Sequence, residues 1–201
     1  MKIIGLTGPA GCGKSTVADI LTMDDGFGFI EESFARPLRE FVASVCCWPF
    51  ADVERTKEEP TPRMCGRSPR EVMQLMGTEF GRNMIGPDIW IRALESRIQR
   101  IRNFVDTYDP RVVPVAEWWS GKLASGHLQL VISDVRFANE AAWIREHGEL
   151  WHLSRPGKGL TGHASESGVT ITDRDQVLDN DCDLEVLRVR IGDLLGVPHD
   201  R

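Results

Sequence analysis

Tyrosine is nearly missing from this chain, with one residue in 201, and no two cysteines are spaced as Cys-x-x-Cys. The five cysteines, Cys12, Cys46, Cys47, Cys65 and Cys182, are odd in number and show no paired spacing. That argues against a disulfide framework and a cysteine zinc site, and leaves free thiols in a reducing compartment. Long apolar runs are missing as well. The opening "IIGL" is too short for a signal-peptide core, and nothing approaches the roughly 18 apolar residues of a membrane span. Positive charge is in deficit: 24 Lys and Arg against 30 Asp and Glu leave a formal charge of −6. A chain this acidic is repelled by a phosphate backbone, so non-specific binding to a nucleic-acid polymer is excluded, whereas a basic pocket for a small anion is not. The reading is a cytoplasmic protein without membrane or nucleic-acid partners. Neither an internal repeat nor a low-complexity tract appears.

What is present is an alternation of short strands and helices. At 201 residues, with 41% hydrophobic and 27% charged, the chain suits one domain with a sizeable core. Strands are expected at 2–7, near 28–32, and at 128–133, 149–154 and 175–180. Helices are expected at 14–22, at 34–48 with Pro37 in the first turn, and at 68–82, 88–102, 139–147 and 183–196. Gly148 and Gly196 end the last two. The polar stretch 49–67, with three prolines, reads as a loop, and 103–127, with Trp118 and Trp119, as an irregular insertion. Residues 155–168 form a glycine-rich loop. The pattern predicts an α/β fold with a mostly parallel central sheet and helices on both faces. Such sheets bind ligands beyond the carboxyl ends of their strands.

Residues 8–15, "GPAGCGKS", fit GxxxxGK[ST] at every fixed position, after a strand and at the start of a helix. The glycines, Gly11 and Gly13 among them, let backbone N–H groups converge on phosphates, and the helix N-terminus adds positive potential. Lys14 then reaches the β- and γ-phosphates, Ser15 ligates Mg²⁺, and Thr16 follows beside them. In "LVISDVRF", Asp134 and Arg136 lie where a buried strand becomes a loop. A carboxylate there holds Mg²⁺ through its water shell, and an arginine clamps a phosphate. The bland alternative is a surface ion pair or an N-cap for the next helix.

The helix expected at 68–82 has Ser68 as N-cap, Pro69 next, and Glu71 completing a capping box. On a helical wheel Arg70, Gln74, Gly77, Thr78 and Gly81 share one side, and Val72, Leu75, Met76 and Phe80 take the other, facing a core. Each internal glycine costs about 1 kcal/mol against alanine, so something approaches the backbone closely. Either a flat ligand lies there, bonded by Gln74 and Thr78, or another helix packs there.

Together, "GPAGCGKST", "SFARPLRE", "SPREVMQLMGTEFGRNMIGPDIWI", "SDVRFANEAAWI", "LSRPG", "HASE" and "VLDNDCDLEVL" make the chain resemble bacteriophage deoxynucleoside monophosphate kinases, in the nucleoside monophosphate kinase branch of P-loop proteins. The likeness covers roughly 1–102 and 128–196, and the block from Ser68 to Trp90 is its most specific part. It implies ATP-dependent, Mg²⁺-dependent phosphorylation of deoxynucleoside monophosphates on a P-loop NTPase fold, in the host cytoplasm if the source is viral. One domain, 1–201, would carry a helical acceptor-binding region at about 33–102 and a lid loop at about 155–168. By position, Arg39 and Arg136 fall where this branch grips the acceptor phosphate, and Arg70, Gln74, Thr78 and Arg82 in the acceptor-site helix. Arg155, Lys158 and His163 fall in the lid, with Arg155 beside Lys14 and Arg136 as a catalytic cation. Asp179 and Asn180 lie where relatives pass the adenine ring. A homodimer is compatible with the resemblance.

The chemistry fits the residues. An acceptor phosphate oxygen is already ionised, so no general base is needed, and the cations stabilise the transferring group. Closure of a lid excludes water. Phe34, Trp90 and Trp151 are candidates to stack on a base, although such residues are more often core. Two other readings stay open: a P-loop kinase of another small metabolite, such as dephospho-coenzyme A, and a nucleotide-binding assembly protein with Trp118 and Trp119 as its contact patch.

Overall fold

A computed structural model describes residues 1–23, 27–107, 128–157 and 169–197. The chain divides into two compact units, one of Met1–Ser33 with Arg100–Arg201 and one of Phe34–Gln99.

The first unit is built on five parallel strands: β1 (Lys2–Thr7), β2 (Ile30–Glu32), β3 (Gln129–Ile132), β4 (Glu149–Ser154) and β5 (Gln176–Asp179). Their order across the sheet is β2-β3-β1-β4-β5, with every pairing parallel. β1 is central, with Ile4 opposite Val131 of β3 and Leu6 opposite Trp151 of β4. As expected of a strand buried on both faces, it reads as a continuous apolar run rather than an alternation. One face carries Ile4, Leu6, Val131, Trp151, Leu153 and Leu178. Against it pack helix α1 (Lys14–Thr22), through Val17, Ile20 and Leu21, and the closing helix (Leu184–Leu195), through Leu187 and Ile191. Burying each such aliphatic side chain stabilises the fold by about 1.5–3 kcal/mol.

On the other face lies the helix Ala138–His147, and its approach is set by glycine. A methyl group on Gly5 would stand 2.8 Å from Ile144. Gly148 ends that helix for a similar reason. Its φ of −174° is extended, and a side chain there would overlap the Ile3 carbonyl. The closing helix ends differently, on Gly196 in the left-handed region at φ +70°.

The second unit is helical. α2 (Arg36–Cys46) has Pro37 in its first turn, and α3 (Phe50–Arg55) follows it. The expected loop at 49–67 is therefore corrected. Pro49 is the residue before α3, and Pro62 opens a 3₁₀ turn (Pro62–Met64), so two of the prolines start helical turns instead of breaking them. Val53 and Met64 from this stretch join Val42 and Cys46 in a small core.

α4 (Pro69–Gln74) begins on the expected capping box: Glu71 N–H donates to Ser68 Oγ at 3.3 Å, and Ser68 N–H to Glu71 Oε2 at 2.7 Å. It does not continue as α-helix to 82. From Leu75 to Ile85 the backbone is a π-helix, whose wider turn invalidates a wheel drawn at α-helical spacing. Leu75 and Phe80, expected in the core, are 41% and 45% exposed. Gly77 and Gly81 are buried. A methyl group on Gly77 would meet Leu38 at 3.1 Å, and one on Gly81 would overlap the Trp90 ring. Helix packing, not a ligand, thus accounts for the two glycines.

α5 (Ile89–Thr107) buries Ile91, Leu94 and Ile98 along one stripe. It runs five residues past 102, so 103–107 are helical rather than irregular. Residues 108–127, with Trp118 and Trp119, lie outside the described residues, as do 158–168, with Lys158 and His163. The remaining helices are α6 (Ala138–His147) and α7 (Leu184–Leu195).

Candidate active site

The loop between β1 and α1 has three glycines in conformations that side chains rarely adopt: Gly8 at φ +143°, Gly11 at +75° and Gly13 at +102°. An anion-binding loop must turn its carbonyl dipoles away from the anion, and each of four carbonyls here has a donor. Lys14 Nζ donates to Gly8 O at 2.7 Å and to Pro9 O at 2.9 Å. Asn180 Nδ2 donates to Cys12 O at 2.8 Å, and Val17 N–H to Gly13 O at 3.0 Å. Ser15 is exposed at the first turn of α1, and Thr16 is half-buried.

Beside this loop, β3 gives way to half-buried Ser133 and then to Asp134, which is 8% exposed, and Val135 N–H bonds the Leu6 carbonyl of β1 at 3.1 Å. That bond holds the turn carrying Asp134 against the end of the central strand. Asp134 is not the cap of α6. Glu140, itself buried, fills that role by accepting from Arg136 N–H at 2.9 Å and Phe137 N–H at 3.1 Å. The Arg136 side chain is exposed.

A recess of about 550 Å³ in the same unit is lined by Thr16, Arg155, Asn180, Cys182 and the first turn of α7. The structure therefore gathers Thr16, Arg155 and Asn180, which lie far apart in sequence. Asn180 is 7% exposed, and its amide nitrogen is committed to the phosphate loop. Phe34 and Trp151 are core residues at 3% and 0% exposure. Trp90 is held by its Nε1–H bond to Gly77 O at 2.8 Å.

In the second unit, three cations gather around one carboxylate. Lys57 Nζ lies 2.7 Å from Glu54 Oε1, and Arg39 Nε lies 4.0 Å from Glu54 Oε2. Arg70 also acts on Glu54 through its charge, and pairs with Glu58 at 2.5 Å. Burial pushes the Glu54 carboxyl up, but the Lys57 hydrogen bond and the charges of Lys57, Arg39 and Arg70 together hold it below its ordinary value. Lys57 is not among the residues the sequence singles out, because a loop over 49–67 gives it no helical partner. The signal that would have found it is the Glu54–Lys57 spacing of three residues across the end of α3. Gln74 and Thr78 line a second recess, of about 280 Å³, with Arg67, Glu71, Leu75 and Glu79. Arg82 bonds the Pro87 carbonyl at 3.1 Å.

A glycine loop joining the central parallel strand to a helix, with a buried carboxylate at the end of the next strand, defines a P-loop nucleotide-binding protein of the α/β class. The family model for deoxynucleotide monophosphate kinase matches residues 66–191 of the chain. A putative deoxynucleotide monophosphate kinase of Acanthamoeba polyphaga mimivirus is 34% identical over 162 residues, covering 78% of this chain and 76% of the relative. The deoxynucleoside-5'-monophosphate kinase of Escherichia phage T5 is 35% identical over 83 residues, 41% of this chain and 24% of the phage protein. The chain belongs to the deoxynucleotide monophosphate kinase family. A solved unliganded sugar kinase from Janibacter sp. HTCC2649 superposes over 99% of both chains with a TM-score of 0.44 and 13% identity, too loose a likeness to carry an argument.

Proposed function

We propose that the chain transfers the γ-phosphate of ATP to a deoxynucleoside monophosphate, giving the diphosphate. The observation that carries this is the phosphate loop with its carbonyls tied off, in a chain of this family. Lys14 exchanges the Gly8 and Pro9 carbonyls for β- and γ-phosphate oxygens. The loop N–H groups and the start of α1 hold the remaining negative charge. Arg136 and Arg155, both exposed, bring charge to the group in transfer.

The donor set fits Mg²⁺. Ser15 offers a hydroxyl and Asp134 a carboxylate, and among the described residues no group of three or more His, Cys, Asp or Glu forms a cage of its own. That matches a cation held by one or two protein oxygens, with phosphates and water as its other ligands. When bound, Mg²⁺ neutralises charge on the β- and γ-oxygens.

Arg39 and Arg70, with Lys57 beside them, bind the acceptor phosphate. Gln74 and Thr78 present an amide and a hydroxyl to its nucleoside, and Arg82 steadies the π-helix that follows. No general base is needed because the attacking oxygen belongs to an ionised phosphate. A coupled assay of ADP release, run with the four common deoxynucleoside monophosphates and their ribose forms, tests the reading. Turnover with at least one deoxynucleotide is expected, and ATP hydrolysis indifferent to all of them overturns it.

A further inference from the structure

Asn180 follows β5, 167 residues after the last glycine of the phosphate loop, yet its side chain is built into that loop. It is 7% exposed. Its Nδ2 donates to Cys12 O at 2.8 Å, and its backbone N–H donates to Ser154 O at 2.8 Å, fixing the residue to the end of β4. The same amide occupies the space a side chain on Gly13 would need, while Gly13 itself sits at φ +102°. The turn that carries Asn180 is in turn clamped by Arg190 of α7, which donates at 2.6 Å to both Asp179 O and Asp181 Oδ1.

We propose that Asn180 is a positioning residue for the triphosphate: by holding the Cys12 carbonyl it keeps the Cys12–Gly13 segment turned so that N–H groups, not carbonyls, face the phosphates. Its role is exerted through the loop and not by contact with the base, although it also lines the recess beside Thr16 and Arg155. Two features support this. The amide nitrogen is already committed to the loop, and its 2.8 Å bond from a buried side chain fixes the Cys12 carbonyl in a loop whose three positive-φ glycines give the backbone unusual freedom. Without the donor, the Cys12 carbonyl is left buried and unpaired, and the Cys12–Gly13 peptide loses the side-chain bond that fixes its orientation. The inference rests on the loop being a triphosphate site and is independent of which acceptor is phosphorylated.

The test uses the full chain and two probes that divide the nucleotide: inorganic tripolyphosphate, which has no base, and adenosine, which has no phosphate. Asn180→Leu keeps the approximate shape and removes the donor without adding charge beside the anion site. Tripolyphosphate and ATP are expected to bind about tenfold or more weakly, the scale of one lost buried hydrogen bond, while adenosine competes as well as before. Asn180→Ala is the second variant, in case the first does not fold, and should show the same split. The outcome that overturns the proposal is unchanged tripolyphosphate binding in a folded variant, whether or not adenosine binding falls. A fall for adenosine alone would assign Asn180 to the base instead. Acceptor-dependent turnover, measured separately, reports on the kinase reading and leaves this result untouched.

Discussion

Replacing Glu54 with glutamine should tighten the acceptor. Among the described residues, Glu54 is the carboxylate that draws on Lys57, Arg39 and Arg70 together, the three cations proposed to hold the acceptor phosphate. Two of these pairs are geometric contacts, at 2.7 and 4.0 Å, and the Glu54 side chain is 59% exposed, so solvent screens them. Exposed pairs of this kind are each worth about 0.2–1 kcal/mol, and two sum to roughly 1 kcal/mol. Because an arriving phosphate must displace those contacts, their loss should lower the acceptor KM about fivefold. The KM for ATP should not move, because the phosphate loop is held by Lys14 and Asn180 and draws on none of these cations. Stability should fall by up to the same 1 kcal/mol, since the native pairs are lost. Glu54 is held ionised below its ordinary value, so the effect should be constant across neutral pH and should shrink at high salt. Steady-state kinetics with the best deoxynucleotide, at low and high ionic strength, measure it. An acceptor KM that is unchanged or higher in Glu54→Gln refutes the assignment of these cations to the acceptor phosphate.

Further outcomes follow from other parts of the molecule. Arg136→Ala should lose turnover by two orders of magnitude or more (about 3 kcal/mol of transition-state charge stabilisation) while ATP affinity by calorimetry survives. Gly81→Ala drives a methyl group into the Trp90 ring and breaks the bond from Trp90 Nε1 to Gly77 O, so unfolding free energy should drop by about 1–3 kcal/mol in denaturant titration. Buried His152 is pushed below its ordinary value by desolvation, which outweighs the bond and charge of Asp175, so it stays neutral in the fold while the unfolded chain takes up a proton. Stability should therefore decline as pH falls below about 6.5, and His152→Asn should flatten that decline in urea midpoints. Asp175 accepts from Arg145 at 2.9 and 2.7 Å, and that hydrogen bonding holds it far below the carboxylate range. Its contribution is present above about pH 4 and is lost as pH falls further, so acid unfolding should remain in the His152 variant.

The phosphate loop was readable because its chemistry constrains residue identity. Only glycine tolerates φ of +75° and +102° at Gly11 and Gly13, and a single lysine reaches back over the loop, so the pattern survives in the letters. The Ser68–Glu71 box and the Gly196 stop were readable for the same reason, since each fills a fixed backbone need. The failures lie where identity does not determine geometry. Prolines at 49 and 62 are compatible with a loop or with a helix start, and only the burial of Val53 and Met64 decides between them. The family resemblance sets Asn180 near ATP, but its bond to Cys12 spans 168 positions and leaves no local trace.

The π-helix shows most plainly how far a sequence pattern reaches. Its hydrogen bonds have poorer geometry than those of an α-helix, so eleven residues of it need an external reason. Trp90 and Leu38 supply one. The Trp90 ring lies over Gly81 and its N–H takes the Gly77 carbonyl, while Leu38 fills the space over Gly77. A glycine at each of these two positions lets both side chains approach the backbone, which repays the weaker ladder with packing and one side-chain hydrogen bond. Leu75, the first residue after the α-helical turn, is 41% exposed and lines the recess with Gln74 and Thr78. Gly77 and Gly81 therefore act through packing against Leu38 and Trp90, and neither lines that recess.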